Sequence, residues 1–449
     1  MAKNVENDSM SIRRRDFISA AAITGTAQLI GTSRAWANAN DRIRVAIIGM
    51  GGRSRDHIKQ ISRIPNVELA AFCDVDTTQM EKRCADFASL LPKKPTLQQD
   101  LRRVFDDKSI DVVTVATCNH WHALAAIWAA QAGKHVYVEK PVCHDLNSGA
   151  QMVAAAQKYN RLIQGGTQRR SSGYVRRAIQ AMHEGVIGDV YMARCIHYQR
   201  RDSLGFKDSE NPPASLNWDL WVGPARMQQF NANLHPYNWH WFWNFGNGEL
   251  GNNGIHYIDM ARWGLKQTFP AKIYSTGGRF GYKDQGQTPN TQLTTYQFED
   301  GKELVVEIRG RFSNSDGDLT SGVIFYGSKG YMISDHNHDK FKIYLEGRNT
   351  PEPDLPGLAD LASTSEGEAT HAHFENYFGA VRAGKREMLA AEITETYRST
   401  AYCLFGNISY RLKRELRFDS QSKRFIGDSE ANAMLKDQYR APFSVPEIA

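Results

Sequence analysis

Between residues 42 and 165 the hydrophobic pattern repeats one unit. A short apolar run leads into a glycine-rich or polar turn, and a stretch with apolar residues three and four apart follows. The runs predict strands at Arg42–Ile48, Val67–Phe72, Asp111–Ala116, His135–Val138 and near Leu162–Gln164. The stretches between predict helices at Asp56–Ile64, Gln79–Leu91, Ala123–Ala132 and Leu146–Lys158. Apolar runs without alternation suit strands buried on both faces. Strands separated by helices of this length predict a parallel, doubly wound sheet.

The pattern changes near Gly165. Val190–Gln199, Lys272–Gly278, Thr291–Phe298, Glu303–Arg311, Gly322–Tyr326 and Gly330–Ser334 read as strands of an antiparallel sheet, and Glu299-Asp300-Gly301-Lys302 as a hairpin turn. Helices are predicted at Tyr174–Glu184, Gly254–Trp263, His371–Ala383 and Ala391–Arg411. Residues 200–250 form an irregular stretch rich in Trp, Asn and Pro, and residues 350–368 a surface loop. The expected class is α/β. An N-terminal doubly wound parallel sheet over residues 41–165 precedes an α+β domain over 166–449 with a large, open, mainly antiparallel sheet.

The first 37 residues stand apart. Arg13-Arg14-Arg15-Asp16-Phe17-Ile18 precedes an apolar stretch to Ile30, and Ala35-Trp36-Ala37 offers a cleavage site. This is the pattern of a twin-arginine export signal, which predicts a periplasmic or otherwise exported protein that meets the twin-arginine machinery. The apolar stretch is too short to span a bilayer, and no membrane segment is expected in the mature chain. Apolar content of 41% and charged content of 23% fit a globular protein. The charge is +6, but the basic residues are scattered, so nucleic-acid binding is not expected. The six cysteines show no C-x-x-C or zinc spacing, which predicts free thiols; no metal site is expected.

Candidate chemistry sits at predicted strand ends. After the first strand, Gly49-Met50-Gly51-Gly52-Arg53-Ser54 forms a glycine-rich turn into a helix, where backbone N–H groups can approach a pyrophosphate. Ser54 stands where the dinucleotide fingerprint has its third glycine, and is small enough for helix–strand packing. Asp74, after the second strand, is placed to bind adenosine ribose hydroxyls and would repel a 2′-phosphate, so NAD is favoured over NADP. Lys140, in Glu139-Lys140-Pro141 after the fourth strand, can place an ammonium beside the nicotinamide and polarise or protonate a substrate oxygen. Export of a folded, cofactor-loaded protein into a space without free nicotinamide cofactor predicts tightly bound NAD.

Together these elements resemble the glucose–fructose oxidoreductase / inositol dehydrogenase (Gfo/Idh/MocA) family over roughly residues 42–449. The resemblance rests on the glycine turn, Cys73-Asp74-Val75-Asp76, Thr117-x-Asn119-x-x-His122, Glu139-Lys140-Pro141 and Gly254-x-His256-x-x-Asp259. It implies a Rossmann domain whose cofactor contacts come from Gly49, Gly51, Gly52, Arg53, Ser54, Asp74, Thr117, Asn119, His122, Glu139 and Lys140. It also implies homo-oligomers through the open sheet. His256 matches the family's catalytic histidine, while the family's aspartate four residues earlier is Asn252 here. An amide orients an imidazole but does not stabilise its cation by charge; Glu249 is a candidate substitute.

Tyr237, Trp239 and His240 lie in an aromatic run suited to sugar rings, and Arg169, Tyr198 and Asn253 are further candidate substrate contacts. The implied activity is hydride transfer from a ring carbinol of a sugar or glycoside to tightly bound NAD. One alternative is an NAD-dependent glycoside hydrolase that forms a transient ketone, eliminates the glycosidic substituent and shows no net redox change. A non-enzymatic sugar-binding sensor is a third.

Overall fold

The computed structural model describes residues 42–311, 314–316, 319–335, 340–348 and 365–448. The expected export signal, and residues 350–364 of the expected loop, lie outside them. Residues 366–368 open a helix instead.

Six strands form the first sheet: β1 Ile43–Ile48, β2 Val67–Cys73, β3 Thr96–Gln98, β4 Val112–Val115, β5 His135–Val138 and β6 Ile163–Gly165. Their order is β3-β2-β1-β4-β5-β6, with parallel pairing of β1 with β4, β4 with β5, β5 with β6 and β2 with β3. Val45, Ala46, Ile47, Val112, Val113 and Val115 are fully buried, which is why these strands are apolar without alternation. In helix Asn119–Gln131, Ala123, Ala125, Ala126, Ala129 and Ala130 are buried, small enough for close packing on the sheet. Asp76 caps helix Thr77–Asp86 by accepting from the Thr78 N–H at 3.1 Å. The pattern missed β3 and helix Leu101–Asp106. A three-residue edge strand and a helix of under two turns are too short to show a period.

The second sheet holds β7 Val190–Tyr198, β8 Lys272–Gly278, β9 Thr291–Gln297, β10 Glu303–Arg309, β11 Ser321–Gly327, β12 Gly330–Asp335, β13 Lys340–Leu345, β14 Leu416–Asp419 and β15 Arg424–Phe425. Its order is β13-β12-β11-β7-β10-β9-β8-β14-β15. Pairing is antiparallel except between β7 and β10, which run parallel because β7 is inserted from earlier in the chain. Burial alternates along β9 and β10, so one face is covered. Helix Ile255–Leu265 lies against β7 and β11, and helix Ile393–Leu412 against β8 and helix Leu146–Lys158. The last contact ties the two sheets together. It is so close that a Cβ at Gly149 would stand 2.6 Å from the Tyr397 ring. Tyr402 and Phe405 on helix Ile393–Leu412 are fully buried, each contributing roughly 1.5–3 kcal/mol of hydrophobic stabilisation.

The chain ends by crossing back over the first sheet's helices. Tyr439 donates to the Asp145 carboxylate at 2.9 and 3.0 Å, Arg440 to Asp219 at 2.6 Å, and the Ile448 N–H to Gln151 at 2.6 Å. All six cysteines are free thiols. Among the described residues, no helix is long and apolar enough to cross a membrane.

Candidate functional site

A cleft of about 380 Å³ runs along the carboxyl ends of the first sheet's strands. Gly49 begins it. Its φ is +92°, and a Cβ there would lie 2.6 Å from the Ala116 carbonyl, so only glycine fits between β1 and β4. Cβ atoms on Gly51 and Gly52 would meet nothing within 4 Å; the turn is open on its cleft side. Ser54 is buried and does not line the cleft. Its hydroxyl donates to the Gly51 carbonyl at 2.7 Å, and Arg83 donates to it at 3.3 Å, so it braces the turn from behind.

Asp74 lines the cleft past β2. It accepts from the Met50 N–H at 2.5 Å and the Asp76 N–H at 2.8 Å. Burial pushes its pKa up to about 6, against the lowering pull of those two N–H groups. Thr117, Asn119 and His122 line the cleft past β4. His122 has the Pro141 carbonyl at 2.7 Å and the Thr117 carbonyl at 2.9 Å on its two nitrogens, pinning the loops after β4 and β5 together. Burial lowers its pKa.

Past β5, Glu139 sits in a buried ionic cluster, accepting from Arg53 Nε at 2.8 Å and facing His57 Nε2 at 2.9 Å. Burial alone would raise its pKa, but the Arg53 guanidinium and the His57 bond hold it well below the usual carboxylate range. Burial lowers the pKa of His57. A neutral ring then donates to Glu139 and accepts from the Thr114 hydroxyl at 3.1 Å. Lys140 follows, joined to Pro141 by a cis peptide bond, and Nζ donates to the Asn252 main-chain carbonyl at 2.5 Å. Burial lowers the Lys140 pKa from its ordinary value.

Asn252 reaches the cleft from the other side, on a π-helical turn, Leu250–Gly254, that leads into helix Ile255–Leu265. Such turns loosen the regular carbonyl ladder and concentrate at functional sites. Here the Leu250 carbonyl is met by the Cys403 thiol at 3.3 Å and the Asn252 carbonyl by Lys140. His256, one turn further on, is 9% exposed and does not line the cleft.

The irregular segment supplies the rest of this wall. Tyr237, Trp239 and His240 all line the cleft. Trp239 and His240 stack at 3.6 Å between ring centroids, and Tyr237 is 47% exposed. His240 Nδ1 lies 2.6 Å from the Tyr237 carbonyl, and burial pushes its pKa down to about 3.

Three expected substrate contacts lie elsewhere. The Tyr198 hydroxyl donates to Asp316 at 3.0 Å, and the Arg309 guanidinium covers its ring at 3.6 Å. The β7–β10 register sets Tyr198 beside Arg309, which takes it to the sheet rather than the cleft. Arg169 is buried and does not line the cleft; its neighbour Arg170 pairs with Asp259 at 2.7 and 2.9 Å. Asn253 donates to Gln199 at 3.3 Å and to Glu249, away from the cleft.

The sequence pattern missed what lies beside the loop after β2. Thr77 donates to the Ser215 carbonyl at 3.0 Å, and Asn217 to the Val75 carbonyl at 2.9 Å, so residues 215–217 lie against the loop after β2. Trp121, Trp221 and Phe443 also line the cleft, with Phe443 edge-on to Trp121 at 5.4 Å. It missed the reach of Glu249 too. This buried carboxylate takes Arg201 at 2.8 and 3.0 Å, stands 3.3 Å from His197, and accepts from Asn252 at 3.4 Å and from Asn253. A carboxylate at i with amides at i+3 and i+4 on one helical face was the available signal.

Fold and cleft together define a dinucleotide-binding α/β protein of oxidoreductase type. Residues 43–167 match the family described as an oxidoreductase family with an NAD-binding Rossmann fold. Residues 202–445 match its C-terminal alpha/beta domain. The chain belongs to the Gfo/Idh/MocA oxidoreductase family.

It is similar to an inositol 2-dehydrogenase/D-chiro-inositol 3-dehydrogenase of Shouchella clausii, 30% identical over 158 residues, which are 34% of this chain and 44% of that protein. A glycosyl hydrolase family 109 protein of Shewanella putrefaciens is 33% identical over 122 residues, 26% of this chain and 27% of that one. The chain therefore spans less than half of the length of either. Among solved structures, the WlbA dehydrogenase from Chromobactrium violaceum, in complex with NADH and UDP-GlcNAcA, matches with a TM-score of 0.66 and 17% identity. That match covers 85% of this chain and 98% of that one, and speaks for the fold alone. The residues present fit such a dinucleotide: the glycine turn leaves open space for a pyrophosphate, and Asp74 presents a carboxylate where ribose hydroxyls would lie.

Proposed function

We propose that the protein is a sugar- or glycoside-directed oxidoreductase that keeps NAD bound through its working cycle. The observation that carries this reading is the meeting of Lys140 and Asn252, from the two halves of the chain, on the wall of the cleft that the glycine turn begins. NAD, when bound, supplies a hydride acceptor and, once reduced, a hydride donor.

The chain's own residues do the rest. Gly49, Gly51 and Gly52 admit the pyrophosphate, and Asp74 takes ribose hydroxyls and repels a 2′-phosphate. Lys140 holds and moves the proton of the reacting hydroxyl. It is half-buried, and its lowered pKa brings proton exchange closer to neutral pH. His256, one turn beyond Asn252, is buried and does not line the cleft, and it is given no part in that transfer. Tyr237 and Trp239 offer faces for a sugar ring. Retention is supported by the rings of Trp121, Trp221 and Phe443, which line the cleft. The twin-arginine pattern at Arg13–Ile18 supports export of the loaded protein, and the exposed Tyr191, Tyr274 and Leu293 on the second sheet support self-association.

A second reading is favoured by Asn252 and by the similarity to a family 109 glycosyl hydrolase protein. In that case a ring ketone two carbons from the glycosidic carbon acidifies the C–H between them, the glycosidic substituent leaves by β-elimination, water adds back to the enone, and the hydride taken when the ketone formed is returned to it. The test is to screen the purified protein against sugars and glycosides for both ketone formation and bond cleavage. Ketone accumulation supports the oxidoreductase, and cleavage without net redox change supports the hydrolase. Ligand binding with neither reaction would overturn both and leave a sugar-binding sensor.

A further inference from the structure

Glu249 is a charged side chain that the reading above leaves without a task. Its carboxylate is 3% exposed and belongs to neither sheet. Four side chains converge on it. Arg201 follows β7, His197 lies in β7, and Asn252 and Asn253 come from the π-helical turn. Burial would raise its pKa, yet the contacts with His197 and Arg201 hold it well below the ordinary range.

A carboxylate has only acceptors to offer. The Asn252 side chain must therefore turn its NH2 toward Glu249, leaving Oδ1 as the atom available to a hydroxyl in the cleft. The same turn carries the main-chain carbonyl to which Lys140 donates. We infer that Glu249 is a positioning residue that sets the orientation of Asn252 and, through that turn, the place and charge of the Lys140 ammonium. Asn252 then reads substrate as a neutral acceptor, selecting a hydroxyl donor. This inference rests on the reading of Lys140 as the proton-handling group.

The groups facing Lys140 are Glu139 and Arg53 on the glycine-turn side, His122 on the helix after β4, His240 on the aromatic loop, Glu249 on the π turn, Glu366 at the start of helix Glu366–Ala383 and the Cys403 thiol on helix Ile393–Leu412. Burial pushes the His240 pKa down to about 3, so it is neutral near pH 7, and lowers that of His122 against the raising pull of the Pro141 and Thr117 carbonyls. Glu249→Gln removes one negative charge and leaves Arg201 uncompensated, so the Lys140 ammonium loses support and its pKa falls.

The test needs no substrate. The NAD-loaded protein is labelled with trace acetic anhydride across pH, and acetylation of Lys140 is followed by mass spectrometry. In Glu249→Gln the midpoint for Lys140 should fall by on the order of one pH unit, and its limiting labelling rate should rise several-fold as the turn loosens. Asn252→Ala should raise the limiting rate and leave the midpoint in place. An unchanged midpoint and rate in Glu249→Gln overturns the inference. If that variant does not fold, an unchanged rate in Asn252→Ala overturns it instead. Near-normal turnover in Lys140→Ala would sink the functional reading, which the labelling does not depend on.

Discussion

The two walls of the cleft are made by different means. On the nucleotide wall, Gly49, Asp74, Thr117 and Lys140 each follow the end of a parallel strand, and the sheet spaces them. On the facing wall, Asn252 stands on a π-helical turn, and Tyr237, Trp239 and His240 on a loop held by one short 3₁₀ segment, Asn238–Trp241, and the contact of His240 with the Tyr237 carbonyl. A buried parallel sheet fixes the first wall through its hydrogen-bond ladder, so its groups are hard to move. The second wall depends on contacts such as Glu249–Arg201 and Lys140–Asn252, and one side chain can change its shape. Such a division suits a protein that keeps one cofactor and adapts its substrate.

The largest effect should come where the walls touch. Lys140→Ala removes the group proposed to handle the proton and should lower turnover by on the order of 10²–10⁴-fold, with the fold and bound nucleotide retained. Turnover within a few-fold of the parent would take Lys140 out of the mechanism. Gly49→Ala strikes the rigid wall itself. Its Cβ would press on the Ala116 carbonyl at 2.6 Å from a backbone at φ +92°. A melting midpoint lower by several degrees and loss of nucleotide are expected; a stable, nucleotide-loaded variant would show that β1 and β4 can move apart.

A smaller effect is expected at the rings that line the cleft. Phe443→Ala opens the cleft beside Trp121 and should speed NAD release about tenfold, the cost of roughly 1.4 kcal/mol of lost contact. Release at the parent's rate would mean that Trp121 and Trp221 suffice. The smallest effect concerns pH. Because the Asp74 pKa is pushed up to about 6, the carboxylate form that ribose hydroxyls need is present above that value and is lost as pH falls through it. NAD affinity, measured by equilibrium dialysis, should weaken a few-fold between pH 7.5 and pH 5, and Asp74→Asn should flatten that dependence.

The nucleotide wall was legible in the sequence because strand ends and turns are local. The glycine run, Asp74 and Lys140 follow apolar runs, and each strand stops where its run gives way to glycine or charged residues. The facing wall was legible only in part. Asn252 and the aromatic run stood out by composition, but alternation along β7 says which residues share a face, not which face meets the cleft. That is why Tyr198 was expected at the site and lies under Arg309 instead. Phe443 carried no local signal at all. It reaches the cleft through a tail pinned by Tyr439 and Arg440 to groups far away in the chain.

A cleft that holds NAD and keeps it should give the nucleotide up only on denaturation. The most direct test is to purify the protein without added nucleotide, denature it, and identify and count what is released. Close to one NAD, in oxidised or reduced form, is expected for each chain. Recovery of NADP, or a protein that leaves purification empty and shows no affinity for NAD, would contradict it.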